Sequence, residues 1–336
     1  MGSKVYITGI AGFLGSHLAD AFIEAGHEVA GNDNLCGGYE SNVPDGAEFH
    51  RVDCTDLDEL KSAMGDADIV YHTAARAHEG LSVFSPAQIN ESIYQATTCT
   101  LSAAADNGVD RFVYCSSMSR YGEQETPFTE AMEPKPQDPY AISKVASEEL
   151  VALMSDVHGF DYVIAVPHNI IGPRQRFDDP FRNVASIFIN RMLQGKQPVI
   201  YGDGEQKRCF SFVQDCVRPL KKLAHQDVVV GETINIGPDD NFITINTLAE
   251  VIADILKFDL DPIYMKDRPQ EVKLANCSAD KSRRLLGYET QYTLRDGLEE
   301  MVDYIQREGP REFDYDHLEL EIVNDKTPET WTEQLI

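Results

Sequence analysis

Short apolar runs alternate with amphipathic stretches through the first half of the chain. Lys4-Val-Tyr-Ile-Thr8 reads as a buried strand, and an amphipathic helix follows to about Glu24, closed by Gly26. The pattern repeats: strands at 28–32, 49–52, 69–72, 111–115 and 161–166, with helices at 57–64, 86–107 and 139–158 between them. Strands alternating with helices predict an α/β protein built on a Rossmann-type, doubly wound parallel sheet. Beyond Pro167 the texture changes. Helices are expected near 181–195, 216–225, 246–256 and 293–306, with strands around 210–213 and 233–235. The expected organisation is a nucleotide-binding domain over 1–167, a smaller α/β substrate-binding part over 168–310 and an acidic tail over 311–336. Segments within about 210–240 are candidates to return to the main sheet. The tail holds a strand-like run at 317–323 and the single tryptophan, Trp331.

Ligands of such sheets bind at the carboxyl ends of the strands. Gly9, Asp33, Asp53, Ala74, Ser117 and Pro167 all follow strands, so one rim should gather them. The loop Gly9-x-x-Gly12-x-x-Gly15 sits between a strand and a helix, the setting a dinucleotide fingerprint needs. Its glycines let the backbone approach a pyrophosphate at the helix N-terminus. Asp33 stands where a carboxylate would accept bonds from both ribose hydroxyls and repel a 2′-phosphate, which favours NAD over NADP.

Tyr140 and Lys144 are one helical turn apart. A nearby ammonium favours the phenolate, and Ser117 could bond a substrate hydroxyl and the phenol together. Such a trio can remove a proton from an alcohol as hydride leaves the same carbon.

Composition narrows the class. The net charge of −27 argues against binding nucleic acid or an anionic membrane. It fits either a protein working at high salt or an ordinary acidic soluble one. Residues 308–336 hold nine acidic against two basic side chains, whereas 174–208 hold seven basic against four acidic, which suggests a pocket for an anion. Seven dispersed cysteines without a C-x-x-C, and a strand beginning at Lys4, lead us to expect a reduced cytoplasmic protein without a metal or a membrane span. His72 and His78 are read as structural.

Taken together, Thr8-Gly9-x-x-Gly12-x-x-Gly15, Asp33-Asn34-Leu35, His72-x-Ala74-Ala75, Ser116-Ser117-x-x-x-Tyr121-Gly122, Pro139-Tyr140-x-x-Ser143-Lys144, Asn169-x-x-Gly172-Pro173-Arg174, Gly202-Asp203-Gly204-x-Gln206-x-Arg208 and Arg268-Pro269 carry a resemblance. From about residue 4 to 306 the chain resembles the extended short-chain dehydrogenase/reductases of the nucleotide-sugar epimerase/dehydratase branch. Within it, the chain is most similar to UDP-sugar 4-epimerases. The resemblance implies Tyr140 as base, Lys144 as its activator and Ser117 as hydroxyl partner. It assigns NAD to Gly9, Gly12, Phe13, Leu14, Gly15, Asp33, Asn34, Asp53, Cys54, Ala74, Ala75 and Pro167, with Tyr140 and Lys144. A UDP-sugar falls to Ser117, Asn169, Asn183, Val184, Tyr201, Arg208 and Arg268. It also implies a homodimer through the helices near 86–107 and 139–158.

The chain departs from the pattern in places. Ser92-Ile-Tyr-Gln95 stands for an N-x-x-G, Arg120 for a valine, and Arg76 to Ser82, which should overhang the sugar, follows no pattern. Met118-Ser119 occupies the place where dehydratases carry Asp-Glu. The implied reaction is 4-epimerisation through a 4-keto sugar, with 4,6-dehydration, 4-ketoreduction and a non-catalytic NAD-binding role as the alternatives. Small residues at Ala275-Asn-Cys-Ser278 suggest that N-acetylhexosamines fit.

Overall fold

The computed structural model describes residues 2–316 and 319–336. Seven parallel strands form the central sheet, in the spatial order Thr233–Ile236, Asp161–Pro167, Arg111–Cys115, Ile69–His72, Lys4–Thr8, Glu28–Asn32 and Ala47–His50. Strand order reverses between Lys4–Thr8 and Ile69–His72, and a crevice opens at the carboxyl ends there. The strands are apolar on both faces because helices cover both. Val5, Ile7 and Val113 pack into one layer with Leu18, Phe22, Val217 and Leu220. Their neighbours Tyr6 and Phe112 face the opposite layer with Leu60, Met64 and Leu101.

The glycine loop is held by backbone pressed on backbone. A Cβ at Gly15 would lie 2.2 Å from the Gly9 carbonyl oxygen. Gly9 itself has φ +73°, and a Cβ there would lie 2.9 Å from the Ala74 Cα. Side chains at these positions would push the Phe13–Glu24 helix off the sheet.

Beside the sheet, helices Val184–Leu193, Ile245–Leu256 and Leu294–Glu308 enclose a second apolar cluster around Phe188, Leu248, Met301 and Ile305. Two expectations are corrected here. The strand expected at 210–213 is only Ser211–Phe212, because Val213, Cys216, Val217 and Leu220 form the apolar stripe of a helix that already begins at Val213. The strand-like run at 317–323 begins outside the described residues, and 319–323 is irregular. Its backbone bonds across to 84–88, with the Ile322 amide on the Phe84 carbonyl at 2.9 Å and the Ser85 hydroxyl on the Glu319 carbonyl at 2.7 Å. Trp331 is buried edge-on against Phe84 and Phe181, so the described tail packs on the wall of the second cluster.

Arg120 now has a reason. Its guanidinium reaches both carboxylate oxygens of Glu148 at 2.8–3.1 Å, and both side chains are buried. The Ser116 hydroxyl donates to the same carboxylate. This pair clamps the loop carrying Ser117 to the Pro139–His158 helix. Removing one member leaves a buried charge without its counter-ion. Arg120→Ala should therefore cost about 3–5 kcal/mol, while Arg120→Met combined with Glu148→Leu should recover most of it. Denaturant midpoints of the three proteins check this, and equal midpoints for wild type and Arg120→Ala would contradict it.

Candidate active site

The strand ends and the second cluster enclose a cavity of about 560 Å³. Its cofactor end is the glycine loop. Gly12 caps the Phe13–Glu24 helix without a side-chain cap bond, leaving the first-turn amides to a ligand. Asp33 is buried beneath them. It accepts from the Ala11 amide at 3.2 Å and the Leu35 amide at 2.7 Å. Burial pushes its carboxyl above the usual range, and these amides oppose the rise. Asp53 bonds Thr55 and Asn34, which outweigh burial and hold it ionised. This cradle of bare amides with a buried carboxylate beyond it suits a dinucleotide pyrophosphate and its ribose.

Midway along the cavity stand Ser117, Tyr140 and Lys144. Pro139–His158 starts with Asp138 as its cap, bonded to the Ala141 amide at 2.9 Å, and Pro139 follows at the first helical position. Tyr140 and Lys144 therefore face the cavity on successive turns. The Lys144 ammonium donates to the Cys115 carbonyl at 2.8 Å and lies 6.0 Å from the Tyr140 ring centre. Burial lowers the Lys144 pKa to about 8. The expected fall of the Tyr140 pKa does not occur in this arrangement. Burial raises it, outweighing the Ser117 hydrogen bond and the positive charge of Arg182.

At the far end Arg208 and Arg268 converge on Glu271. Arg268 bonds it at 3.1 and 3.2 Å, and Arg208 lies 3.8 Å away. Arg268 also stacks 4.7 Å over the Tyr201 ring. Burial works against ionisation of Glu271, but the two guanidiniums hold its pKa low. Both cations thus stand preorganised at the far end of the cavity, each a guanidinium able to pair with a diphosphate.

All the residues assigned above to NAD and to a UDP-sugar line this one cavity. Within it, Asn183 uses its side chain locally, capping Val184–Leu193 through the Ala185 amide and donating to the Ile170 carbonyl. Asn169 adopts φ +42° and donates to the Cys209 carbonyl. Ala275–Ser278 does not line the cavity. It packs behind, exchanging backbone bonds with Phe128, so its small side chains do not widen the sugar site.

Several lining residues escaped the sequence reading. Arg182 reaches the Gly37–Gly38 loop, where a Cβ at Gly37 would lie 2.9 Å from its Nη2. Glu91 and Ser92 line the wall from a π-helical turn, Glu91–Gln95, within the long 86–107 helix. The missing N-x-x-G was the signal of that turn. Glu79 projects from the undeciphered 76–82 segment. Its side chain is exposed to the open cavity, and the density of protein around that cavity, with the nearby Asp138, lifts its pKa to about 7. His72 and His78 pair with Thr8, Thr97 and Asp179 in the interior. No helix of the described residues is long and apolar enough to cross a membrane.

A family profile described as the NAD dependent epimerase/dehydratase family matches residues 5–237. This chain belongs to that family. It is 32% identical over 309 residues to a putative UDP-glucose 4-epimerase of Methanocaldococcus jannaschii, covering 90% of this chain and 98% of the relative. The fold matches UDP-glucose 4-epimerase from Thermotoga maritima, solved with UDP-glucose, at a TM-score of 0.86 and 31% identity, covering 91% and 99% of the two chains. UDP-N-acetylglucosamine 4-epimerase from Methanobrevibacter ruminantium, solved with UDP-N-acetylmuramic acid, matches at 0.85 and 31% over 92% and 99%. Other matches are named as UDP-glucuronate 4-epimerases, a decarboxylase and a dTDP-glucose 4,6-dehydratase, the last solved with NAD. The enzyme is an NAD-dependent nucleotide-sugar epimerase.

Glu79 gives the epimerase a testable pH signature. Its folded pKa of about 7 lies above the ordinary 4.5, so the native state binds the extra proton between these values. Its contribution to stability is complete below the ordinary value and is lost as pH rises through about 7. Glu79→Gln should therefore raise Tm at pH 8 and leave it unchanged at pH 4. An equal shift at both would place the carboxyl in ordinary solvent.

Proposed function

We propose that the enzyme interconverts the 4-epimers of a UDP-sugar. The observation that carries this reading is the shared cavity. Ser117, Tyr140 and Lys144 stand between a dinucleotide cradle and a pair of arginines suited to a diphosphate. Tyr140 takes the proton of the sugar 4-hydroxyl while Ser117 orients that hydroxyl. Gly9, Gly12, Gly15 and Asp33 would hold NAD, which would supply a reversible hydride acceptor for C4. Lys144 holds positive charge beside the phenol and is anchored by the Cys115 carbonyl. Arg208 and Arg268 hold the diphosphate, so a 4-keto sugar would be free to turn about that tether and present its other face. Tyr140 then returns the proton to O4. Met118 and Ser119 follow Ser117 and offer no carboxyl for elimination across C5–C6.

A second copy of the chain fits the outer face of the catalytic helix. Ile142, Leu153 and Val157 share one stripe there and are 53%, 59% and 65% exposed, which is costly for a lone helix face in water. We infer a homodimer through this face. Light scattering should give twice the chain mass, and Leu153→Glu should reduce it to one; a wild-type monomer would refute the assembly.

The reaction is tested by incubating the purified protein, without added NAD, with UDP-glucose, UDP-N-acetylglucosamine and UDP-glucuronate separately, with proton NMR of the products. A 4-epimer mixture from at least one is expected, and Tyr140→Phe should lower that rate by about 10²–10⁴-fold. A stable 4-keto-6-deoxy product would instead give Glu79 and Asp138 the acid–base work of a dehydratase.

A further inference from the structure

One carboxyl in the cavity has no task in the hydride mechanism. Glu79 begins the short turn Glu79–Ser82. The Ser82 hydroxyl donates to the Glu79 carbonyl at 2.7 Å and lies 3.3 Å from Asp138, the cap of the catalytic helix. The next residue, Gly80, is wedged at the other end of the wall. A Cβ on it would lie 3.3 Å from the Arg268 Nη1 and 3.8 Å from the Trp331 Cη2. These contacts hold the Glu79 backbone on the stretch of wall that joins Asp138 and Tyr140 to Arg268. The side chain opens into the cavity. Its charge is felt by Tyr140 at one end and by Arg208 and Arg268 at the other. A ligand whose reacting carbon meets Tyr140 and whose diphosphate meets the arginines must lay its sugar ring across Glu79.

We propose that Glu79 sets the substrate class, accepting hydrogen bonds from the hydroxyls of an uncharged sugar and repelling a sugar that carries a carboxylate. This rests on the UDP-sugar reading above and selects within it. Above its pKa of about 7 the Glu79 side chain is a carboxylate and an acceptor only, so sugar hydroxyls are its natural donors. A uronate would bring a second carboxylate beside it, with Asp138 adding a third negative charge in a confined, poorly solvated space. The facing guanidiniums do not cancel this. Glu271 already engages Arg268 with two hydrogen bonds and draws on Arg208, and the diphosphate requires both.

The test compares wild type and Glu79→Gln at pH 8, where Glu79 is ionised, on UDP-glucose, UDP-N-acetylglucosamine and UDP-glucuronate. Wild type should convert a neutral sugar with kcat/KM at least about tenfold above that for the uronate, and Glu79→Gln should shrink the ratio about tenfold or more, by improving the uronate. Calorimetric binding of UDP-glucose and UDP-glucuronate to Tyr140→Phe, with and without Glu79→Gln, should show the same change of preference without turnover. A wild type that prefers the uronate, or a ratio unmoved by Glu79→Gln while neutral sugars still react, overturns the role of Glu79 alone. Absence of turnover and binding for all three nucleotide sugars overturns the UDP-sugar reading and this inference with it.

Discussion

Backbone packed directly on backbone at the glycine loop is the constraint on which the rest of this structure depends. The Gly9 carbonyl fills the space a side chain on Gly15 would need, and Ala74 does the same at Gly9. Gly38 repeats the device, since a Cβ there would lie 2.3 Å from the Ala11 carbonyl oxygen. Three chain segments thus close over the ends of three neighbouring strands with no side chain between them. Helix Phe13–Glu24 points its unpaired amides into the crevice as a consequence, and Asp33 lies close enough to bond the Ala11 amide. The anion site is the shape left by the packing, not an addition to it.

Catalytic groups are placed by a different means. Asp138 fixes where the catalytic helix starts, and the buried Arg120–Glu148 pair ties its middle to the loop that carries Ser117. Hence the phenol, the ammonium and the serine hydroxyl keep their mutual positions through one polar contact at the cavity wall and one behind it. Enclosure then sets their chemistry. The same desolvation raises the Tyr140 phenol, lowers Lys144 to about 8 and raises Glu79 to about 7. Each of these groups disfavours the charged form in the folded protein, so the site opposes stability where it serves reaction.

The sheet and the cofactor end were legible in the chain because they are local. A buried parallel strand is a contiguous apolar run, and Gly9, Gly12, Gly15 and Asp33 lie within one strand–helix–strand unit. Tyr140 and Lys144 were legible for the same reason, being one turn apart. Illegible parts depend on partners distant in sequence. Arg120 looked like an anomaly until Glu148 stood opposite it. Glu79 has no pattern of its own, and only the fold brings it between Asp138 and Arg268. Ala275–Ser278 misled because likeness to related 4-epimerases placed it at the sugar pocket, whereas here its backbone pairs with Phe128 and it does not line the cavity. At 210–213, three apolar residues in four looked like a strand, although the helical stripe starting at Val213 decided the local structure.

The two ends of the cavity therefore differ in how freely they can change. Strand ends and the glycine loop are held by ladder hydrogen bonds and by contacts that leave no space for a side chain. A substitution there disturbs the sheet itself. The sugar wall is assembled from single residues of separate segments: Glu79, Asp138, Arg182, Tyr201, Glu271 and Ile336. They are joined by ion pairs, ring contacts and the packing of Trp331 against Phe84 and Phe181. Exchanging one of them alters the charge or width of that wall without touching the central sheet. On the reading proposed above, a fold of this kind can hold its hydride chemistry constant while its substrate changes with a single carboxyl, and the described tail extends that wall because Trp331 supports the turn that presents Glu79.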